Sequence, residues 1–113
     1  MRRQTIINQT RYNLFMNNNI FEIFDKKGRK VMLSQENWKH ILRHKGMEQH
    51  LENIKKAISQ PTVSYPHRHH PNKENHNLYF KEIKYYLLVS VKYLNNEGDI
   101  KTDFITRIVL LFL

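Results

Sequence analysis

Residues 34–61, SQENWKHILRHKGMEQHLENIKKAISQP, decide the fold class, because helical spacing runs through them and stops at their final proline. Ser34 is a favourable N-cap, Glu36 lies in the first turn where the helix dipole favours an anion, and Trp38, Ile41 and Leu42 recur at helical intervals. Gly46 is the natural residue after a helix end. Beyond it Met47, Leu51, Ile54 and Ile58 recur at i, i+4, i+7 and i+11, an amphipathic stripe that ends before Pro61. The spacing predicts helices over 35–45 and 48–59 that meet at Gly46. Trp38, Leu42, Leu51, Ile54 and Ile58 should turn inward.

Working outward, the period changes to two. TVSYP, NLYFKEI, YYLLVSVKYL and IKTDFITRIVLLFL are rich in β-branched and aromatic residues, and NNEGD between the last two is a hairpin turn. Upstream, IFEIF, DKKGR and KVML read as a second hairpin around a glycine-containing turn. Helices followed by consecutive strands imply an α+β domain, with the two helices packed on one face of a mostly antiparallel sheet of four or more strands. Strands should include 85–93 and 100–109. HRHHPNKENH, 67–76, reads as a loop, since it holds no apolar residue besides its proline. Residues 1–19 are polar and Asn-rich and are expected to form an arm, leaving 20–113 as one domain.

The chain has 113 residues, 19 Lys and Arg against 10 Asp and Glu, and a formal net charge of +9. At this length one modest core is feasible. The surplus positive charge costs self-repulsion and speeds encounter with polyanions, which makes a phosphate-rich partner the economical explanation. The absence of cysteine excludes disulfides and thiolate metal sites. No apolar segment of adequate length follows the basic start MRRQTIINQTRYN, so it is not read as a signal peptide. IVLLFL falls far short of the roughly 20 residues that cross a bilayer, so it reads as a buried strand and no membrane partner is expected.

His40 and His44 stand one helical turn apart, on the side of the wheel opposite Trp38. Two solvated surface histidines are the plain alternative. His44 gains a functional reading from its place at the helix C-terminus, where unpaired carbonyls favour an imidazolium suited to a general acid or to gripping phosphate. An i, i+4 histidine pair can also chelate a metal, but Ile41 stands where metalloprotease helices carry their Glu. His67, His69, His70 and His76 form a second histidine tract, readable as a plain loop, a metal site or a titratable basic loop on RNA. In the last strand Thr102, Phe104 and Thr106 share one face and Lys101, Asp103 and Arg107 the other. Lys81, Lys84 and Lys92 on neighbouring strands could meet phosphate, while Tyr79, Tyr85 and Tyr93 could stack bases or fill a core.

Taken together, LSQENWKHILRHKGMEQHLENIKKAISQP, NLYFK, YYLLVSVKY and GDIKTDFITR resemble the phage and prokaryotic branch of the barnase, EndoU, colicin D and RelE-like nucleases, often called PBECR domains. The likeness spans about residues 21–107. In that family the first helix ends in a His, a strand carries Tyr and a basic residue, and the last strand carries Thr, an aromatic and a further Thr; here these places hold His44, Tyr79, Lys81, Thr102, Phe104 and Thr106. Lys45-Gly46 stands where the family has Pro-Glu, and Asp103 where it has a small Ala.

The resemblance implies a RelE/colicin D-like nuclease architecture and a cytoplasmic, metal-independent endoribonuclease, a toxin or phage-linked effector that needs no cofactor. The ribose 2′-OH would attack the adjacent phosphate of tRNA or mRNA to leave a 2′,3′-cyclic phosphate. His44 would transfer the proton, Lys81 would clamp charge, and Thr102 and Thr106 would bond the phosphate. His40, Tyr79, Lys84, Arg107, His67, Arg68 and His69 are the expected RNA-binding residues, and a cognate antitoxin or immunity protein is an expected partner. The alternative is a non-catalytic RNA-binding module or translation regulator. An antitoxin role for the chain itself is disfavoured, since neutralisers of basic nucleases are usually acidic.

Overall fold

In the computed structural model residues 19–106 are described, with only the backbone of residues 103 and 104. The arm to residue 18, Arg107, the run IVLLFL and the end of the predicted last strand lie outside the described residues. The elements are β1 (Asn19–Phe24), β2 (Lys30–Ser34), α1 (Gln35–Ile41), a 3₁₀ helix (Met47–His50), α2 (Leu51–Ser59), β3 (Val63–Pro66), β4 (Lys73–Phe80), β5 (Tyr85–Leu94) and β6 (Glu97–Thr106). Among the described residues six strands form one sheet in the order β1-β2-β6-β5-β4-β3. Every neighbouring pair is antiparallel except β2 and β6, which run parallel over Lys30–Met32 and Glu97–Asp99. The molecule is thus α+β with a mostly antiparallel sheet. β6, though last in the described chain, lies between the first hairpin and β5.

The core lies between the helices and one face of the sheet. Ile41 from α1 and Ile54, Ala57 and Ile58 from α2 meet Val31 and Leu33 of β2 and Leu87, Val89 and Val91 of β5. This is the alternation expected of YYLLVSVKYL, whose odd positions face the helices. Ser34 caps α1 as its residue type suggests, its Oγ accepting from the Asn37 N–H at 3.0 Å. The β5–β6 hairpin turns on Asn95 and Asn96, both at positive φ (54° and 64°), the backbone of a two-residue type I′ turn.

Three expectations need correction. The first helix stops at Ile41, because the Arg43 and His44 N–H groups bond back to the His40 and Ile41 carbonyls and tighten the chain ahead of Gly46, which takes φ 87°. Leu42 therefore leaves the core and is exposed, while Ile41 takes the central inward position and Trp38 is half-buried. The histidine-rich run is a loop only as far as Asn72, since Lys73 to His76 belong to β4 and pair with Lys92 to Val89 of β5. Lys81 and Lys84 lie in the β4–β5 turn and not on strands, with Lys84 at φ 58°. Among the described residues no helix is long and apolar enough to cross a membrane.

Candidate functional site

Register brings some of the expected residues together. Tyr79, Tyr86 and Thr106 stand directly opposite one another across β4, β5 and β6, so their side chains share the face away from the helices. The Tyr79 and Tyr86 rings are 4.8 Å apart. Thr102 lies farther along that face, opposite Ser90, which is opposite Asn75. His44, exposed in the turn after α1, makes no side-chain hydrogen bond to any described residue. The histidine that does reach the Tyr79 end of the sheet is one the sequence did not single out: His50, whose ring lies 5.8 Å from Phe80.

α1 brings His40 to β6 by a different route. The Asn37 side-chain amide donates to the Ile100 carbonyl at 2.9 Å, fixing the helix against the strand. A bulge in β6 leaves Lys101 without a partner in β5, because Val91 pairs with Ile100 and Ser90 with Thr102. Lys101 then lines an open groove of about 480 Å³ with Lys39, His40 and Arg43, flanked by Glu36 and Asn37. Asp99 is within 3.2 Å of the Lys101 Nζ.

The histidine loop keeps His67, Arg68 and His69 at the surface between β3 and β4. His67 Nδ1 accepts from the His69 N–H at 3.1 Å and its ring lies 4.6 Å from His70. Desolvation, then the positive charges of His70, Lys73 and His69, pull the His67 pKa below the ordinary histidine value. Among the described residues no three ligating side chains gather in a way that could hold a metal ion.

His76 departs furthest from expectation. It is 4% exposed on β4 and belongs to a largely buried polar chain that ties the β1–β2 turn to β3, β4 and β5. Asp25 accepts the backbone N–H groups of Lys27 and Arg29 on Oδ1, and on Oδ2 the Arg29 Nε–H at 2.9 Å and the Tyr93 hydroxyl at 2.8 Å. Arg29 also grips Glu74 with both terminal nitrogens, at 2.9 and 2.8 Å, and its guanidinium carbon stands 3.7 Å from the Tyr93 ring centre. His76 Nε2 meets the Tyr93 hydroxyl at 2.9 Å and Nδ1 meets Ser64 Oγ at 2.6 Å.

The electrostatics follow from this packing. Burial would raise the Asp25 pKa, but hydrogen bonds from the Arg29 N–H and the Tyr93 hydroxyl, with the Arg29 charge, hold it below the usual carboxylate value. The Arg29 hydrogen bonds lower Glu74 against the opposing effect of burial. Burial, helped by the bond to Asp25, pushes Tyr93 far above the ordinary phenol. Burial also lowers His76, outweighing the attraction of Glu74 and Asp25, so its neutral form dominates at pH 7. Ser64 and His76 line a cleft of about 200 Å³ together with Lys26, Lys27, Pro61, Tyr65 and Pro66.

Two signals could have exposed this cluster in the sequence: Asp25 at the start of a Gly-containing turn, and polar Asn75, His76 and Asn77 continuing into NLYF at strand spacing. No protein-family model, curated protein or solved structure matches this chain.

Proposed function

We propose that this protein is an RNA-directed, metal-independent endoribonuclease, a toxin or phage-linked effector that cleaves by 2′-OH attack. The observation that supports it most is the groove in which Lys39, His40 and Arg43 of the α1 region meet the bulge-borne Lys101 of β6. Such a groove suits a sugar–phosphate backbone, because its cations project from two rigid elements and the net charge of +9 draws polyanions toward it. Tyr79 and Tyr86 offer rings for unpaired bases, and Thr102 and Thr106 share their face. The role of His44 in proton transfer rests on the family resemblance.

The test is purified protein with total RNA in EDTA, with new ends mapped. Cleavage should proceed without divalent metal and leave 2′,3′-cyclic phosphate, and His44→Ala should slow it by about 10²- to 10⁴-fold with folding unchanged, the usual loss for a proton-transfer group. Cleavage that requires added metal would overturn the mechanism. The non-catalytic reading is favoured by the lack of any side-chain partner for His44 among the described residues, and RNA that is bound but left intact would establish it.

A further inference from the structure

The cleft over Ser64 shares no lining residue with the cationic groove, so its chemistry goes beyond the RNA reading. The direction of every hydrogen bond in its polar chain is fixed from the buried end. An ionised Asp25 can only accept, so the Tyr93 hydroxyl gives it its single proton. The Tyr93 oxygen can then only accept from His76, which places the imidazole proton on Nε2. Nδ1 is left bare, and the Ser64 hydroxyl donates to it. The result is a one-way chain from Ser64 through His76 and Tyr93 to Asp25, held by Arg29.

Ser64 itself is exposed and lines the cleft, and its Oγ lies within hydrogen-bond reach of the buried His76. Nucleophile, base and an orienting hydroxyl–carboxylate pair within hydrogen-bond reach form the arrangement that activates a serine. The lining also selects a ligand. Asp25 and Glu74 are both engaged by Arg29, whereas Lys26 and Lys27 have no ion-pair partner among the described residues. Two prolines and the Tyr65 ring supply an apolar wall.

We propose that Ser64 is the nucleophile of a second site that hydrolyses small acyl esters bearing a negative charge. Ser64 Oγ bonds to the acyl carbon as its proton passes to His76 Nδ1, and the ester C–O bond breaks as the leaving oxygen takes that proton. Water then attacks the acyl-serine, giving a proton to Nδ1 that returns to Ser64 Oγ, and the carboxylic acid departs. Tyr93 and Asp25 are positioning residues, acting through His76.

The full chain treated with an alkyl fluorophosphonate should gain one adduct, losing fluoride, with the phosphorus on Ser64 and none on exposed Ser59. Its rate should rise as His76 deprotonates and level off above. Ser64→Ala should remove the adduct, and Tyr93→Phe should slow labelling at least tenfold and alter its pH profile while the circular dichroism stays folded. Mono-4-nitrophenyl succinate should be hydrolysed at least tenfold faster than 4-nitrophenyl butyrate, with that advantage shrinking as salt is added. No adduct, labelling of Ser59 at a similar rate, or Ser64→Ala with undiminished hydrolysis would overturn the proposal. Equal rates for the two esters would overturn its anionic ligand.

Discussion

Arg29→Met should unfold the protein more readily than any single loss from its surface, by an amount that depends on pH. Among the described residues Arg29 is the cation that forms ion pairs with two carboxylates, Asp25 with a side chain 1% exposed and Glu74 at 24%. Methionine roughly keeps the aliphatic volume but leaves both charges unpaired. Breaking a buried pair from one side typically costs about 3 to 5 kcal/mol, since the abandoned charge still bears its desolvation penalty. At this chain length about 1 kcal/mol moves a melting temperature by roughly 4 °C, so the expected fall at pH 7 is about 12–20 °C. Both carboxyl pKa values are depressed in the folded protein, so the stability they contribute is present above their ordinary values of 3.8 and 4.5 and is lost as pH falls through the folded values. The difference between variant and parent should therefore be largest near neutrality and shrink below pH 4. Glu74→Gln added to Arg29→Met should recover part of the loss. Thermal melts of the parent, the two single variants and the double variant from pH 3 to 7 make the test. A deficit independent of pH, or one below about 1 kcal/mol at pH 7, would refute the reasoning.

Gly98→Ala should be destabilising by about 1 to 3 kcal/mol, because a Cβ there would stand 2.7 Å from Val91 Cγ1 and 2.8 Å from the Tyr93 ring, neither of which is free to yield. The same variant should slow Ser64 labelling by displacing Tyr93, which a melt and the fluorophosphonate assay read separately. Asn77→Val should leave the melting temperature unchanged or raised, since Asn77 is fully buried and neither amide atom has a partner among the described residues, a penalty of about 1 to 3 kcal/mol that valine removes. A lowered melting temperature would mean that the amide is satisfied. Replacing Lys39, Arg43 and Lys101 together by Gln should flatten the plot of log RNA affinity against log salt by about 2, at roughly 0.7 for each phosphate of a single strand that is no longer neutralised. An unchanged slope would remove the groove from the RNA footprint.

Much of the fold was legible because local and global preferences agree. Ser34 caps the helix it precedes, Gly46 takes the positive φ that its type allows, and Leu87, Val89 and Val91 of β5 join the helix-facing core at strand spacing. Leu42 was misplaced because the wheel assumes a helix that continues, while this one tightens and ends one residue before it. The parallel pairing of β2 with β6 joins segments more than 60 residues apart, and no local pattern encodes it. The polar chain was hidden for the same reason: Arg29 and Glu74 lie 45 residues apart, and Asp25 and Tyr93 lie 68 apart. His76 was hidden by its neighbours, since a run of His, Pro, Asn and Lys reads as solvated even where its last residues enter a sheet.

The distribution of charge bears on what such a surface can be for. Among the described residues Asp25, Glu74, Glu22, Glu52 and Asp99, half of the chain's ten acidic residues, are held in ion pairs by four cations, Arg29, Lys30, Lys55 and Lys101. Of these pairs, that of Arg29 with Asp25 has a buried carboxylate, and that with Glu74 a partly buried one. The other three are exposed, where a pair is worth about 0 to 1 kcal/mol. Attraction among surface charges therefore offsets little of the repulsion that a net +9 imposes, and the folded state must rest on the helix and sheet core and on the Arg29 network. Surplus cations maintained against their own repulsion contribute to affinity only when a polyanion lies on them and releases its counterions. That places the two candidate activities on separate physical footings. The groove at Lys101 depends on charge and should weaken steeply with salt, whereas the Ser64 chain depends on buried hydrogen bonds, whose one-way order salt does not reach.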